Sequence, residues 1–124
     1  MSAPQISHIG TVVVPVADQD EALAFYTGTL GFEVRIDAEF APGQRWIEVA
    51  PPGAETSIAL VARESAPAGI EISLATRSAA ADHAELRASD VDADAELLRF
   101  GEGVPPMFTF RDPDGNRFRM VERD

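Results

Sequence analysis

The chain has 124 residues, a formal net charge of -11 at pH 7 and no cysteine. Its length suits one domain with one sizeable core, and the lack of cysteine excludes disulfides, zinc-thiolate sites and a thiol nucleophile. The acidic excess argues against a nucleic-acid partner, because such proteins concentrate arginine and lysine on one surface. No basic-then-apolar leader and no apolar run of the roughly 18 residues that a membrane span needs are present, so we expect a cytoplasmic protein without a membrane partner.

The chain opens with a predicted strand and helix. Residues Ile6–Val16 are rich in β-branched side chains, which favours a strand, and Pro15 is expected to end it because proline lacks the N–H that a central strand uses. Asp18 can cap the following helix, whose first turn carries Asp20 and Glu21 near the positive end of the helix dipole. Apolar residues at helical spacing define its buried face: Ala22, Leu23, Phe25, Tyr26 and Leu30.

Three further strands complete the first half of the chain. They are predicted at Phe32–Ile36, Arg45–Val49 and Ser57–Val61. The strand Phe32–Ile36 alternates apolar and charged residues, so it is expected to be half-buried, and a turn at Pro42-Gly43 follows it. The order of elements is therefore β-α-β-β-β.

The second half repeats this order more faintly. It predicts a strand at Ile70–Ala75, a helix at Ser78–Ala88, local pairing at Leu97–Phe100 and two strands around a hairpin turn at Asp112–Asn116. The acidic stretch Asp90–Glu96 is expected to be a solvated loop or short turn without chemistry. We expect one domain over residues 1–124, with module one at 6–62, a linker at 63–69 and module two at 70–122.

The segment from Val12 to Val34, together with Asp112-Pro113-Asp114-Gly115-Asn116, resembles the vicinal oxygen chelate superfamily of glyoxalases, bleomycin-resistance proteins and extradiol dioxygenases. The resemblance implies an α+β fold in which two tandem βαβββ modules form a curved mixed sheet around a cup. It also implies a homodimer and a ligand site in the cup. In the metal-dependent members, side chains from both modules hold a divalent ion there.

The resemblance places the metal ligands of such members at four positions of this chain: Thr11, Ala59, Glu71 and Arg119. Of these four residues, only Glu71 is a plausible metal donor. One donor is too few, because catalytic metal sites usually keep at least three protein ligands. We therefore predict no metal cofactor, with a divalent metal as the alternative. His8 lies three residues before Thr11 and so on the opposite strand face, and His83 belongs to a solvated helix face.

Two strands carry the candidate ligand-binding residues. Alternation places Trp46 and Glu48 on one face and Ile47 and Val49 on the other, and we expect the more polar pair to face the cup, although Trp46 also suits a core or an interface. Near the C-terminus, Arg119 points toward the former metal position, where it pairs with Glu71 or with a ligand carboxylate or phenolate. Phe108 is either an apolar wall of the site or ordinary packing.

The leading functional hypothesis is metal-free binding of a small, partly aromatic organic molecule at Thr11, Trp46, Glu48, Ala59, Glu71, Phe108 and Arg119. The alternative is a lyase, isomerase or dioxygenase similar to lactoylglutathione lyase, which uses a divalent metal or a glutamate base, with Glu71 and Glu48 as weak catalytic candidates. A third hypothesis is a dimeric interaction module whose cup is filled by its own side chains.

Overall fold

The structure is a computed structural model that describes residues 5, 8–62 and 70–123. The chain divides into two compact units, Met1–Arg63 and Glu64–Asp124, which we call unit 1 and unit 2. Each unit contains a four-stranded sheet and one α-helix, in the order β-α-β-β-β. The linker expected at 63–69 lies outside the described residues.

Unit 1 consists of a mixed sheet and one helix that continues into a π-helical segment. Strand β1 lies at one edge and runs parallel to β4, whereas β2, β3 and β4 are successive antiparallel neighbours, which gives the order β1-β4-β3-β2. The elements are β1 (Thr11–Val16), α1 (Gln19–Ala24), the π-helical segment Phe25–Thr29, β2 (Glu33–Ala41), β3 (Gln44–Ala50) and β4 (Ser57–Ala62).

Helix α1 starts where the sequence predicts. The Asp18 side chain accepts a hydrogen bond from the Glu21 backbone N–H at 3.0 Å, which satisfies one of the free donors at the helix start. The last turn is wider than expected, because the Leu30 N–H donates to the Phe25 carbonyl at 3.1 Å. Ala22 and Tyr26 form the buried face.

The predicted end of the first strand is confirmed, because β1 ends at Val16, one residue after Pro15. Among the described strands, β1 lies at the edge of its sheet beside β4, where the missing N–H of Pro15 is tolerated. The prediction for the second strand is wrong. Strand β2 is the other edge and is exposed along almost its whole length instead of being half-buried. The turn after it is as predicted, with Gly43 at φ +74°.

The core of unit 1 lies on the sheet face that packs under α1. Ile47 and Val49 of β3 are fully buried, and their cross-strand neighbours Leu60 and Ile58 on β4 are buried with them. We call this the helix face and the opposite side of the same sheet the distal face. The alternation along β3 therefore separates the two faces as predicted.

Unit 2 repeats the architecture with different residues. Its sheet has the order β5-β8-β7-β6, in which β5 runs parallel to β8. The elements are β5 (Glu71–Thr76), α2 (Ala79–Ala88), β6 (Asp92–Ala93), β7 (Met107–Arg111) and β8 (Arg117–Glu122). Ser78 caps α2 by accepting a hydrogen bond from the Ala81 N–H at 3.2 Å. Neither α1 nor α2, the α-helices in the described part of the chain, is long and apolar enough to cross a membrane.

The core of unit 2 is aromatic. Phe108, Phe110 and Phe118 are fully buried, and the rings of Phe110 and Phe118 stack with centroids 5.3 Å apart. The hairpin between β7 and β8 is closed by Asp112, whose Oδ1 accepts hydrogen bonds from the N–H groups of Asp114 and Asn116, both at 2.9 Å. This turn is the one that the sequence predicts.

The acidic stretch Asp90–Glu96 is turn and loop as predicted except at Asp92–Ala93, which form a short strand. It contains β6, which pairs with β7, and its carboxylates hold Arg111: Asp94 at 2.8 Å and Asp92 at 3.4 Å. These hydrogen bonds, led by the one to Asp94, raise the pKa of Arg111. The pairing expected around residues 97–100 is a single bridge between Leu98 and Met107.

Candidate ligand-binding site

Four of the seven predicted site residues share the distal face of unit 1. Thr11 on β1 is in register with Ser57 on β4, and Glu48 on β3 is in register with Ala59, two residues further along β4. Trp46 precedes Glu48 by two residues and therefore lies on the same face. Ser57, which the sequence analysis did not single out, joins them.

These side chains form a continuous hydrogen-bonded chain that ends on Glu48. The indole Nε1–H of Trp46 donates to Oε2 of Glu48 at 2.7 Å, and the Ser57 hydroxyl donates to Oε1 at 2.7 Å. The Thr11 and Ser57 hydroxyl oxygens lie 3.0 Å apart. Because Ser57 gives its single proton to Glu48, Thr11 is the donor of that last bond.

The hydrogen-bonded chain keeps Glu48 ionised. The hydrogen bond from Trp46 lowers the pKa of Glu48 most, the bond from Ser57 lowers it further and Thr11 adds a smaller effect, while partial burial opposes all three. A carboxylate held in this way is a poor general base, because its protonated form is disfavoured.

Apolar side chains flank Glu48 on the distal face. Val13 is in register with Ala59 and is 39% exposed, and Ile36 is in register with Glu48 and is 42% exposed. The face thus combines a fixed carboxylate, an indole ring and exposed aliphatic groups. Binding sites for small organic molecules have this character: mostly apolar surface with a few placed polar groups.

The sheet of unit 2 also has a helix face, where Phe108 contacts α2, and an opposite face that we call the distal face of unit 2. Glu71 and Arg119 lie on this distal face. Arg119 Nη2 is 3.7 Å from Glu71 Oε1, and Arg117 Nε is 3.8 Å from the same oxygen. The sequence analysis gave Glu71 or a ligand as the partner of Arg119, and the structure contains the pair with Glu71. All three side chains are exposed, and both contacts are long for ion pairs.

Phe108 does not share a face with Arg119. It is fully buried on the helix face of unit 2, where its ring contacts His83 of α2 with centroids 4.9 Å apart. Ordinary packing, the alternative given for Phe108, is what the structure shows. His83 is half-buried instead of solvated, because its Nε2 lies 2.7 Å from the Asp94 carbonyl oxygen.

The residues at the four metal-ligand positions do not fit a divalent ion. Ala59 has no donor atom, the Thr11 hydroxyl is bonded to Ser57, and Arg119 places a cation 3.7 Å from the one carboxylate, Glu71. Within residues 5, 8–62 and 70–123, no three histidine, aspartate or glutamate side chains are grouped so that they could hold a metal. His8, three residues before Thr11, is exposed and precedes β1.

The family assignment follows from comparison with known proteins. A sequence model of the Glyoxalase/Bleomycin resistance protein/Dioxygenase superfamily matches residues 5–120, and the chain belongs to this superfamily. The paired βαβββ modules agree with that membership and confirm the predicted fold class.

Three relatives extend over almost the whole chain. A superfamily member from Sphaerobacter thermophilus is 33% identical with a TM-score of 0.86, covering 97% of this chain and 100% of that one. TnmS3, an antibiotic-binding protein from Streptomyces sp. CB03234, is 33% identical with a TM-score of 0.84, covering 98% and 100%. The uncharacterized protein YetH of Bacillus subtilis is 30% identical over 121 residues, 94% of this chain and 99% of YetH.

Proposed function

We propose that this protein binds a small, partly aromatic organic molecule on the distal face of unit 1, without a metal ion, and holds it without transforming it. The hydrogen-bonded chain that fixes Trp46 and Glu48 beside exposed apolar side chains carries this proposal. Similarity to an antibiotic-binding protein at 33% identity over 98% of the chain supports it.

Binding is proposed over catalysis because of the state of the two candidate glutamates. Both oxygens of Glu48 accept hydrogen bonds and its pKa is lowered, so it is a weak proton acceptor. Glu71 is exposed and lies near two guanidinium groups, so it lacks the dry cavity that a glutamate base needs.

The intrinsic fluorescence of the protein tests the proposal, because Trp46 is the only tryptophan. We would titrate the protein with 9-anthracenemethanol and with a panel of aromatic antibiotics, while exciting Trp46. Anthracene absorbs where indole emits, so a bound probe is expected to quench Trp46 with a saturating curve. Calorimetry on the same pairs gives the stoichiometry independently of fluorescence.

A matched pair of variants on β2 locates the bound probe. Ile36 and Val34 are similarly exposed, at 42% and 46%, but Ile36 is in register with Glu48 whereas Val34 is in register with the core residue Val49. Ile36→Ala is expected to weaken binding several-fold and Val34→Ala to leave it unchanged. Equal effects of the two substitutions, or no saturable binding by any probe, would reject the proposed site.

The proposal includes a homodimer, as the family resemblance implies. Edge strand β2 leaves large apolar side chains at the surface, including Phe40 at 64% exposure. Light scattering on the eluting protein is expected to give twice the 13.3 kDa chain mass. A mass of one chain at micromolar concentration would contradict this part of the proposal.

A further inference from the structure

We infer that the ligand of the distal face of unit 1 carries a cationic amine beside its aromatic ring, and that Glu48 is the counter-ion of that amine. This inference rests on the proposed function and adds the chemical class of the ligand. The observation behind it is that Glu48 is half-buried and forms no salt bridge among the residues that the structure describes.

The contrast with neighbouring carboxylates is clear within unit 1. Arg45 holds both Asp20, at 2.7 Å, and Asp37, at 3.1 Å, and these hydrogen bonds raise the pKa of Arg45. Glu33 lies 3.4 Å from Arg35. Among the described residues, Glu48 forms no salt bridge with an arginine, and neither do the remaining carboxylates of unit 1: Asp18, Glu21, Glu39 and Glu55. Those four are exposed to water, whereas Glu48 is half-buried.

Neutral donors stabilise the charge of Glu48 without neutralising it. Trp46, Ser57 and Thr11 lower the pKa of Glu48, so the carboxylate stays negative at neutral pH. A partly buried charge of this kind is costly unless it finds a partner of opposite sign. An amine on the ligand supplies that partner.

The free hydrogen-bonding capacity of Glu48 matches an ammonium group. One carboxylate oxygen accepts the hydrogen bond from Trp46 and the other the bond from Ser57, and each has a second lone pair. The indole N–H of Trp46 is already used, so the indole offers its ring to a ligand as an apolar surface. An aromatic ring beside an ammonium group attracts the cation as well as packing against the ligand.

The test compares three probes with the same ring and different charge. These are 9-(aminomethyl)anthracene, which is a cation at neutral pH, 9-anthracenemethanol, which is neutral, and 9-anthracenecarboxylate, which is an anion. Quenching of Trp46 gives a dissociation constant for each. The cation is expected to bind at least about tenfold more tightly than the alcohol, and the carboxylate more weakly than both.

Two variants that each remove one negative charge separate a local contact from the overall charge of the protein. Glu48→Gln is expected to raise the dissociation constant of the cationic probe about tenfold and to change that of the alcohol less than about twofold. Glu55→Gln removes an exposed carboxylate between β3 and β4 and is expected to leave all three dissociation constants unchanged. Circular dichroism verifies that both variants are folded.

The outcomes distinguish this inference from the proposed function. If the alcohol or the carboxylate binds to the wild-type protein as tightly as the amine, the charge assignment is wrong while binding on this face stands. If Glu48→Gln folds and leaves the cation's affinity unchanged, Glu48 is not the counter-ion. Failure of all three probes and of the antibiotic panel to bind overturns both. If Glu48→Gln does not fold, the probe ranking of the wild-type protein is repeated at about 1 M salt, which screens the overall charge of the protein beyond about 3 Å and screens a partly buried ion pair much less. A preference for the amine that disappears at this salt concentration would reject the contact with Glu48.

Discussion

The distal faces of the two units share a backbone plan and differ in their chemistry. In unit 1, the parallel pair β1 and β4 begins with Thr11 opposite Ser57, and in unit 2 the parallel pair β5 and β8 begins with Glu71 opposite Arg117. Two residues further along, β4 has Ala59 and β8 has Arg119. The same six-residue pairing thus presents hydroxyls in one unit and charges in the other.

The comparison extends to the third strand of each sheet. Glu48 lies opposite Ala59, and Thr109 occupies the corresponding position opposite Arg119. Unit 1 therefore surrounds one carboxylate with neutral donors at short distance, whereas unit 2 gives one carboxylate two arginines at 3.7 and 3.8 Å. One fold hosts either arrangement, so the side chains of each face, and not the fold, determine what that face can bind.

The largest loss of stability is expected for a substitution on the helix face of unit 2, and a substitution on its distal face is the control. Phe118 is fully buried against Phe110, and Phe118→Ala is expected to lower the free energy of unfolding by about 3 to 5 kcal/mol through lost burial and a residual cavity. Its exposed neighbour gives the control, because Arg119→Ala is expected to cost less than about 1 kcal/mol. Urea unfolding of both variants measures the difference, and similar losses would contradict the assignment of faces.

A smaller effect is expected at Ser57, the residue that links Thr11 to Glu48. Ser57→Ala removes the donor to Glu48 and leaves a partly buried carboxylate oxygen with less hydrogen bonding, at an expected cost of about 1 to 3 kcal/mol. Ser73→Ala on β5, where the serine is exposed, serves as the comparison and is expected to be nearly neutral. Equal midpoints in urea for the two variants would argue against a stabilising chain.

The pH dependence of stability tests the charge of Glu48. Its pKa is lowered by folding, so the stability it contributes is fully present above the ordinary value of 4.5 and is lost as pH falls through the lower folded value. Between about pH 6 and pH 3, the wild-type protein is expected to lose more stability than Glu48→Gln. Glu55→Gln is expected to follow the wild-type curve, and a Glu48→Gln curve parallel to the wild-type one would contradict the lowered pKa.

The smallest loss of stability is expected for Glu71, which lies near two arginines on the distal face of unit 2. Glu71→Gln removes the carboxylate that Arg117 and Arg119 share, but the contacts are long and the side chains exposed, so the cost is expected to be below about 1 kcal/mol and to shrink further in salt. A loss above this limit that persists in molar salt would indicate a stronger network than the distances give.

Local signals in the sequence were sufficient for much of the fold. Asp18 and Ser78 start the two helices as an N-cap should, and the Asp112–Asn116 turn closes its hairpin through hydrogen bonds within five residues. Alternation along β3 separated Trp46 and Glu48 from Ile47 and Val49. Each of these depends on residues that are close in sequence.

The features that sequence missed depend on distant partners. Strand β2 is exposed because it is an edge strand, and the edge is decided by strand order instead of by the alternation of its own residues. Ser57 joins the site through Thr11, which is 46 residues away, and through the register of β4 with β3. The sequence held one signal for the role of Ser57, namely a serine at the start of a predicted apolar strand. A serine hydroxyl that is buried there needs a hydrogen-bond partner.

Native mass spectrometry tests the central claim most directly. The protein, purified without chelator and mixed with 9-(aminomethyl)anthracene, is expected to carry the intact amine on each chain and no metal ion. The Glu48→Gln variant, sprayed under the same conditions, is expected to lose most of the bound amine, whereas Glu55→Gln retains it. A stoichiometric metal ion, or equal occupancy of the amine in the Glu48→Gln variant, would contradict the account.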